Sequence, residues 1–185
     1  QIGDDIYVSG TVGDTRLALE VFRGTQSLDA KSFEAVRTLM EMPTPRIALG
    51  IALRAIANAA IDVSDGLLGD LGHILQRSQV GAQIDTTWLQ HSNTFGEDAQ
   101  AAGISSVLAQ LPWNKRIDFA LAGGDDYELC FTAPVHQREM VHAAAWESNT
   151  PVTRIGRITE AQGLVVIDPE GQAITRRFAS FDHFA

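Results

Sequence analysis

Between Ala60 and Leu71 the chain reads AIDVSDGLLGDL, and its apolar period changes at Gly66. Before the glycine the alternation has a period of two, as in a strand; after it, Leu68, Leu71, Ile74 and Leu75 recur at helical spacing. A strand that passes into a helix through so short a corner constrains the direction of both elements. The pattern recurs along the chain. DDIYVSG (4–10) precedes the helical TRLALEVF, and YELCFTA (127–133) precedes PVHQREMVHAAAWES (134–148), which carries Pro134 at its first turn. Strands alternating with helices predict an α/β or α+β domain, a mixed β-sheet covered by helices.

In TRLALEVF, Leu17, Val21 and Phe22 share one helical face, with Asp14 as the expected N-cap. KSFEAVRTLM (31–40) repeats the period through Phe33, Val36, Leu39 and Met40, and the two prolines of MPTPR (42–46) end it. IALGIALRAIANA (47–59) is predicted to form a largely apolar helix buried on most sides. GAQID (81–85) reads as a strand, followed by a helix near 97–110 and a Pro-Trp-Asn turn. PVTRIGRI and GLVVIDP read as closing strands that pair as a hairpin. No internal repeat and no low-complexity segment interrupts this order.

A chain of 185 residues with 45% hydrophobic content can bury the core of one domain or a tight pair of subdomains. Its formal net charge of −9 argues against nucleic acid and anionic membrane surfaces as partners. An acidic protein can hold an anionic substrate where metal cations bridge the two. Cys130 is the one cysteine, so no disulfide framework exists, and it reads as a buried core residue in keeping with a reducing cytoplasm. No apolar run approaches the roughly 18 residues of a membrane span. The chain opens on QIGDDIYVSG with no initiator Met and reads as a piece of a longer protein.

Two loops carry the residues suited to chemistry. In AIDVSDG, Asp62 and Ser64 lie on one face of the strand, Asp65 follows at the turn, and Gly66 opens a helix whose free N–H groups attract anions. Such a corner offers two carboxylates to a divalent cation and a hydroxyl to a phosphate. A helix cap alone would account for Ser64 or Asp65, but not for Asp62. The second loop, LAGGDDYELCF, sets Asp125, Asp126, Tyr127 and Glu128 at the entrance of a strand, where an exposed Gly-Gly-Asp turn is the simpler reading. GTVGDT (10–15) is a glycine-rich turn into a helix without the lysine and spacing of a P-loop. His136 and His142 are six apart on a helix and read as solvated, and His73 and His91 have no evident partner. No nucleophile signature is present, which favours metal-assisted phosphate chemistry over covalent catalysis.

IDVSDGLLGDLGHI (61–74) followed by LAGGDDYELCFTAP (121–134), with PTPR ahead of the first motif and FDHF near the C-terminus, resembles the thiamine-monophosphate kinases. These belong to a superfamily that includes aminoimidazole-ribonucleotide synthetase, selenophosphate synthetase and a hydrogenase-maturation protein. The resemblance spans the whole chain and corresponds to the C-terminal half of the family's sequence. It implies an α+β domain of a two-domain kinase, whose N-terminal ATP- and metal-binding domain, also the dimer interface, lies outside residues 1–185. It implies ATP-dependent, Mg²⁺-assisted phosphorylation of thiamine monophosphate. Asp62 and Asp65 would be magnesium ligands, Ser64 an ATP contact, Asp126 a substrate contact and Phe181 the aromatic residue against thiamine. The chain departs from the family pattern at Asp125, where Glu is usual, and at Ser180, where Gly is expected. Two other readings remain open: another ATP-using member of the superfamily, and a non-catalytic module that binds a metal or a thiamine phosphate.

Overall fold

The computed structural model describes residues 1–90, 103–176 and 178. Its frame is a six-stranded mixed sheet with strand order β2-β4-β1-β5-β3-β6, formed by β1 (Asp5–Ser9), β2 (Ala59–Asp62), β3 (Gly81–Asp85), β4 (Leu129–Ala133), β5 (Val152–Thr159) and β6 (Gly163–Ile167). All neighbours are antiparallel except β3 and β6, which run parallel. This is the mixed α+β arrangement that the strand and helix pattern predicted.

Side chains alternate across the sheet and build two cores. On one face Ile6, Val8, Ile84, Cys130, Ile155, Ile158 and Val166 meet α1 (Asp14–Phe22), α4 (Leu67–Ser78) and α5 (Trp113–Ala122). On the other, Tyr7, Phe131, Ala133 and Val152 meet α3 (Ile47–Ala52) and α6 (Arg138–Glu147), with the Tyr7 and Phe131 rings stacked at 5.2 Å. Cys130 is fully buried, as its place in an apolar run predicted, and burial pushes its thiol up to about 12.

Several expectations are corrected. The closing strands are not a hairpin: β3 lies between β5 and β6 and pairs with both, which satisfies the backbone N–H and C=O groups along its two edges. The segment 47–59 is a short helix, Ile47–Ala52, with a 3₁₀ turn at Leu53–Ala55. The segment buries the stripe of Leu49, Leu53 and Ile56 against the sheet and leaves Ile47 and Ile51 exposed. The Pro-Trp-Asn stretch is no turn. Pro112 caps α5, whose Ile117, Ala120 and Leu121 are buried at helical spacing. Of the helix expected near 97–110, residues 97–102 lie outside the described residues, and 103–110 hold only a 3₁₀ turn at Leu108–Gln110. Asp14 is inside α1, not its cap; Gly13 takes the cap position at φ 90°. Phe22 is exposed and packs edge-on against Phe33 of α2 (Ala30–Glu41) rather than into the core.

Candidate functional site

The two acidic loops meet at one end of the sheet because β2 and β4 are hydrogen-bonded neighbours, with Asp62 opposite Leu129. The pairing continues past the strands. Val63 N–H donates to the Glu128 carbonyl, Tyr127 N–H to the Val63 carbonyl, and Asp125 N–H to the Ser64 carbonyl, each at 2.8 Å. Backbone bonds thus join DVSD to GDDYE along their length. α5 delivers the second loop from the other side, ending at Gly123.

Neither Ser64 nor Asp65 caps α4. Its cap is Gly66 at φ 104°, a backbone conformation that a side chain resists. The helix instead holds the loop ahead of it. Asp70, in the first turn and 3% exposed, turns back so that its Oδ2 accepts from Ser64 N–H at 2.9 Å and Asp65 N–H at 3.0 Å. Desolvation raises the Asp70 pKa, the two backbone donors oppose the rise, and the charges of Asp65 and Asp62 add to it. Asp70 was not singled out in the sequence. Its signal was an acidic residue in the first turn of a helix that lacks a side-chain cap.

One ligand atom each from Asp65, Asp70 and His73 lies within 4.8 Å of the others, so these three form a group able to surround a cation. His73 therefore has neighbours that the sequence did not reveal: it follows Asp70 by three residues on one helical face. Asp62, exposed at the end of β2, is not among the three, but its charge acts on Asp70 and on Tyr127. Among the described residues, no Lys or Arg forms an ion pair with Asp62, Asp70 or Asp125. An oxygen-rich corner of this kind matches the donor preference of Mg²⁺, and His73 adds a nitrogen beside it.

In the second loop Asp125 and Tyr127 both hold positive φ, 65° and 51°, so the loop alternates its direction and the two adjacent aspartates separate. Tyr127 donates from its hydroxyl to Asp125 Oδ1 at 3.2 Å, and the charge of Asp125, followed by desolvation, pushes its phenol upward. Asp126 turns to the start of α1, where its Oδ2 accepts from Gly13 N–H at 2.8 Å. The glycine-rich turn at 10–15 therefore offers its backbone N–H to a carboxyl of the chain itself. Desolvation drives the Asp126 pKa well above the usual range, and nearby Asp14 and Glu128 reinforce it. Asp14 is buried under Thr11 and Ser105, whose hydroxyls donate to it. Desolvation raises its pKa as well.

Glu128 anchors the loop from below. Its carboxylate accepts from Arg46 Nε at 2.7 Å and from Ser9 Oγ at 2.5 Å, and Ser9 Oγ in turn accepts from Leu129 N–H at 2.8 Å. A Cβ at Gly10 would stand 1.9 Å from Glu128 Oε1, so only glycine fits there. Arg46 is the arginine of PTPR.

Ser64, Asp65 and Asp126 thus lie on the two joined loops, with Asp62 at the end of β2 beside them. The Ser64 hydroxyl makes no hydrogen bond to a described residue. Phe181, Ser180 and His91 lie outside the described residues.

The fold and this corner define a class: a mixed-sheet α+β domain that gathers carboxylates on paired loops at a strand end. Residues 1–169 match the family described as AIR synthase related protein, C-terminal domain, and the chain belongs to that family. It is 42% identical to the thiamine-monophosphate kinase of Haemophilus influenzae over 100% of its own length and 53% of that protein's. Among solved structures it is similar to the thiamine-monophosphate kinase of Stenotrophomonas maltophilia, at 43% identity and a TM-score of 0.78, covering 94% of this chain and 52% of that one. It is also similar to AaThiL complexed with AMPPCP and TMP, at 29% identity and a TM-score of 0.73, covering 100% of this chain and 52% of that one. The chain spans about half the length of the curated relatives it matches.

Proposed function

We propose that the chain is the C-terminal domain of a thiamine-monophosphate kinase, in which the γ-phosphoryl group of ATP passes directly to the phosphate of thiamine monophosphate, giving thiamine diphosphate. The observation that carries this reading is the likeness of the whole chain to the Haemophilus influenzae kinase, with both acidic loops assembled into one corner. The AMPPCP and TMP in the complex of AaThiL support the choice of substrates.

Donor and acceptor are both polyanions, so the transfer needs alignment and charge neutralisation more than covalent help. The acceptor oxygen is already anionic, so no side chain has to remove its proton before attack. Asp62 and Asp65 are the proposed magnesium ligands, and the absence, among the described residues, of Lys or Arg ion pairs to Asp62, Asp70 and Asp125 suits a cation-dependent corner. When bound, magnesium supplies template and charge neutralisation. Asp70 holds the Ser64–Asp65 backbone in place, which orients the Asp65 carboxylate and leaves the Ser64 hydroxyl for an ATP phosphate. Asp126 is the proposed substrate contact at the start of α1, and Phe181 the aromatic contact.

The same reading makes the complete protein a cytoplasmic homodimer built through its N-terminal domain, and makes residues 1–185 inactive by themselves. No helix among the described residues is long and apolar enough to cross a membrane.

The test is thiamine diphosphate formation by the complete protein with ATP, Mg²⁺ and thiamine monophosphate, beside its Asp62→Asn variant. Turnover by the parent and none by a folded variant is expected. A folded, ATP-binding parent that makes no product would move the assignment to another ATP-using member of the superfamily.

A further inference from the structure

At the opposite end of β1 from the acidic corner, a cavity of about 490 Å³ opens on the face of the sheet beyond α6. Asp5 and Ser9 are the two ends of β1, so the cavity and the corner are separated by on the order of 13 Å along the strand. Arg138, Arg154 and Arg157 line the cavity with Asp5, Gln83 and Asp85. Three guanidiniums against two carboxylates is an unusual balance in a chain of net charge −9. We propose that this cavity is a second ligand site, taking a small phosphate-bearing molecule.

The chain's own geometry presents the cations. In β5 the register against β1 shifts so that Tyr7 lies opposite Arg154 and Asp5 opposite Arg157, leaving Ile155 as the extra residue of a bulge. Ile155 and Ile158 stay in the core, and Arg154 and Arg157, three apart in sequence, emerge together on the other face. In an unbroken strand residues three apart point to opposite faces.

Asp5, 3% exposed, pins two of the arginines. It accepts from Arg138 Nε at 2.6 Å and Nη2 at 2.9 Å, and from Arg154 Nη1 at 3.4 Å. An ion-pair network tying α6 to the sheet would account for those two. It does not account for Arg157, whose Nε donates to the neutral Gln83 at 3.1 Å and which forms no ion pair among the described residues. Asp85 is occupied as an acceptor for Thr87 N–H at 2.9 Å. A fixed pair of guanidiniums beside a third without a carboxylate is a fork arrangement suited to phosphate oxygens. The cavity is larger than a lone phosphate requires, and Gln83 supplies a polar group for the rest of the ligand.

The probe is inorganic pyrophosphate, titrated calorimetrically into the complete protein in the presence of a chelator, so that the metal-free acidic corner repels it. Saturable binding is expected, weakened roughly tenfold or more in the Arg154→Gln/Arg157→Gln double variant. Arg157→Lys, which keeps the charge and loses the fork, should fall between them, and Arg77→Gln on α4 should bind as the parent does. Thermal unfolding of each variant confirms that it is folded. No binding by the parent, or equal binding by a folded double variant, would overturn the proposal. Succinate binding as tightly as pyrophosphate would overturn the choice of phosphate. The kinase reading is untouched by any of these results, since the acidic corner takes no part.

Discussion

Arg46 donates from Nε to Oε2 of Glu128 at 2.7 Å, joining the loop ahead of α3 to the loop ahead of β4. The two residues lie 82 positions apart, and both are largely buried, with side chains 19% and 6% exposed. Hydrogen bonding to Glu128 raises the Arg46 pKa, so this guanidinium stays charged.

Among the described residues, removing Arg46 leaves the buried Glu128 carboxylate with only the Ser9 hydroxyl to satisfy it. Arg46→Ala is expected to cost about 3 kcal/mol, read as a lower urea midpoint. Pairing it with Glu128→Gln should restore part of the loss, because the uncompensated charge is then gone. An unchanged midpoint in Arg46→Ala would show that the pair contributes nothing.

Asp70 acts on the first acidic loop through two backbone N–H groups. Asp70→Ala is expected to lose about 1–2 kcal/mol and, more specifically, to expose the Ser64 and Asp65 amides to hydrogen exchange while the later turns of α4 keep their protection. Asp70→Asn, which retains one acceptor oxygen, should behave closer to the parent. Equal loss of protection along all of α4 would point to general unfolding instead.

The half-buried, desolvated carboxyl of Asp126 gives a pH dependence of definite sign. Its folded pKa lies well above the ordinary 3.8, so between those two values the native state holds a proton that the unfolded chain has released. Stability from this group therefore falls as pH rises from about 3.8 through the folded pKa. Asp126→Asn removes the penalty and keeps an acceptor for Gly13. In metal-free buffer its melting temperature should gain on the parent's as pH rises through that window. A constant difference at all pH values would contradict the assignment.

Asp5 behaves in the opposite sense. Burial alone would raise its pKa, but hydrogen bonds and charge from Arg138 and Arg154 outweigh it and hold the carboxyl below 3.8. Its contribution is thus present above 3.8 and is lost as pH falls through the folded value. The stability gap between the parent and Asp5→Asn, measured by urea unfolding, should be full near neutral pH and close as the solution is acidified past 3.8. A gap that persists in acid would assign the effect to packing.

Elements whose apolar spacing was strong were legible. α4 occupies 67–78, and β1, β3 and β4 lie within the predicted stretches. α5 went unread because its Pro-Trp-Asn start resembles a turn, although Ile117, Ala120 and Leu121 already carried the helical period. The length of the 47–59 helix was overestimated because an apolar run does not say which side will be covered. Ile47 and Ile51 are apolar and exposed. At the site, both acidic loops were recognised, and Asp70 and His73 were not.

What the sequence determined by itself was local: where strands hand over to helices, that Cys130 is core, and that acids and glycines gather at two strand ends. These follow from residue type and periodicity, which act over a few positions. Only the tertiary structure decided what meets what. The strand order set β4 beside β2 and so joined the two loops, slid β3 between β5 and β6, and turned Asp126 onto the start of α1. A bulge in β5 brought Arg154 and Arg157 to one face. Such pairings depend on which apolar faces can be buried together across the whole chain, a condition that no short stretch of residues contains.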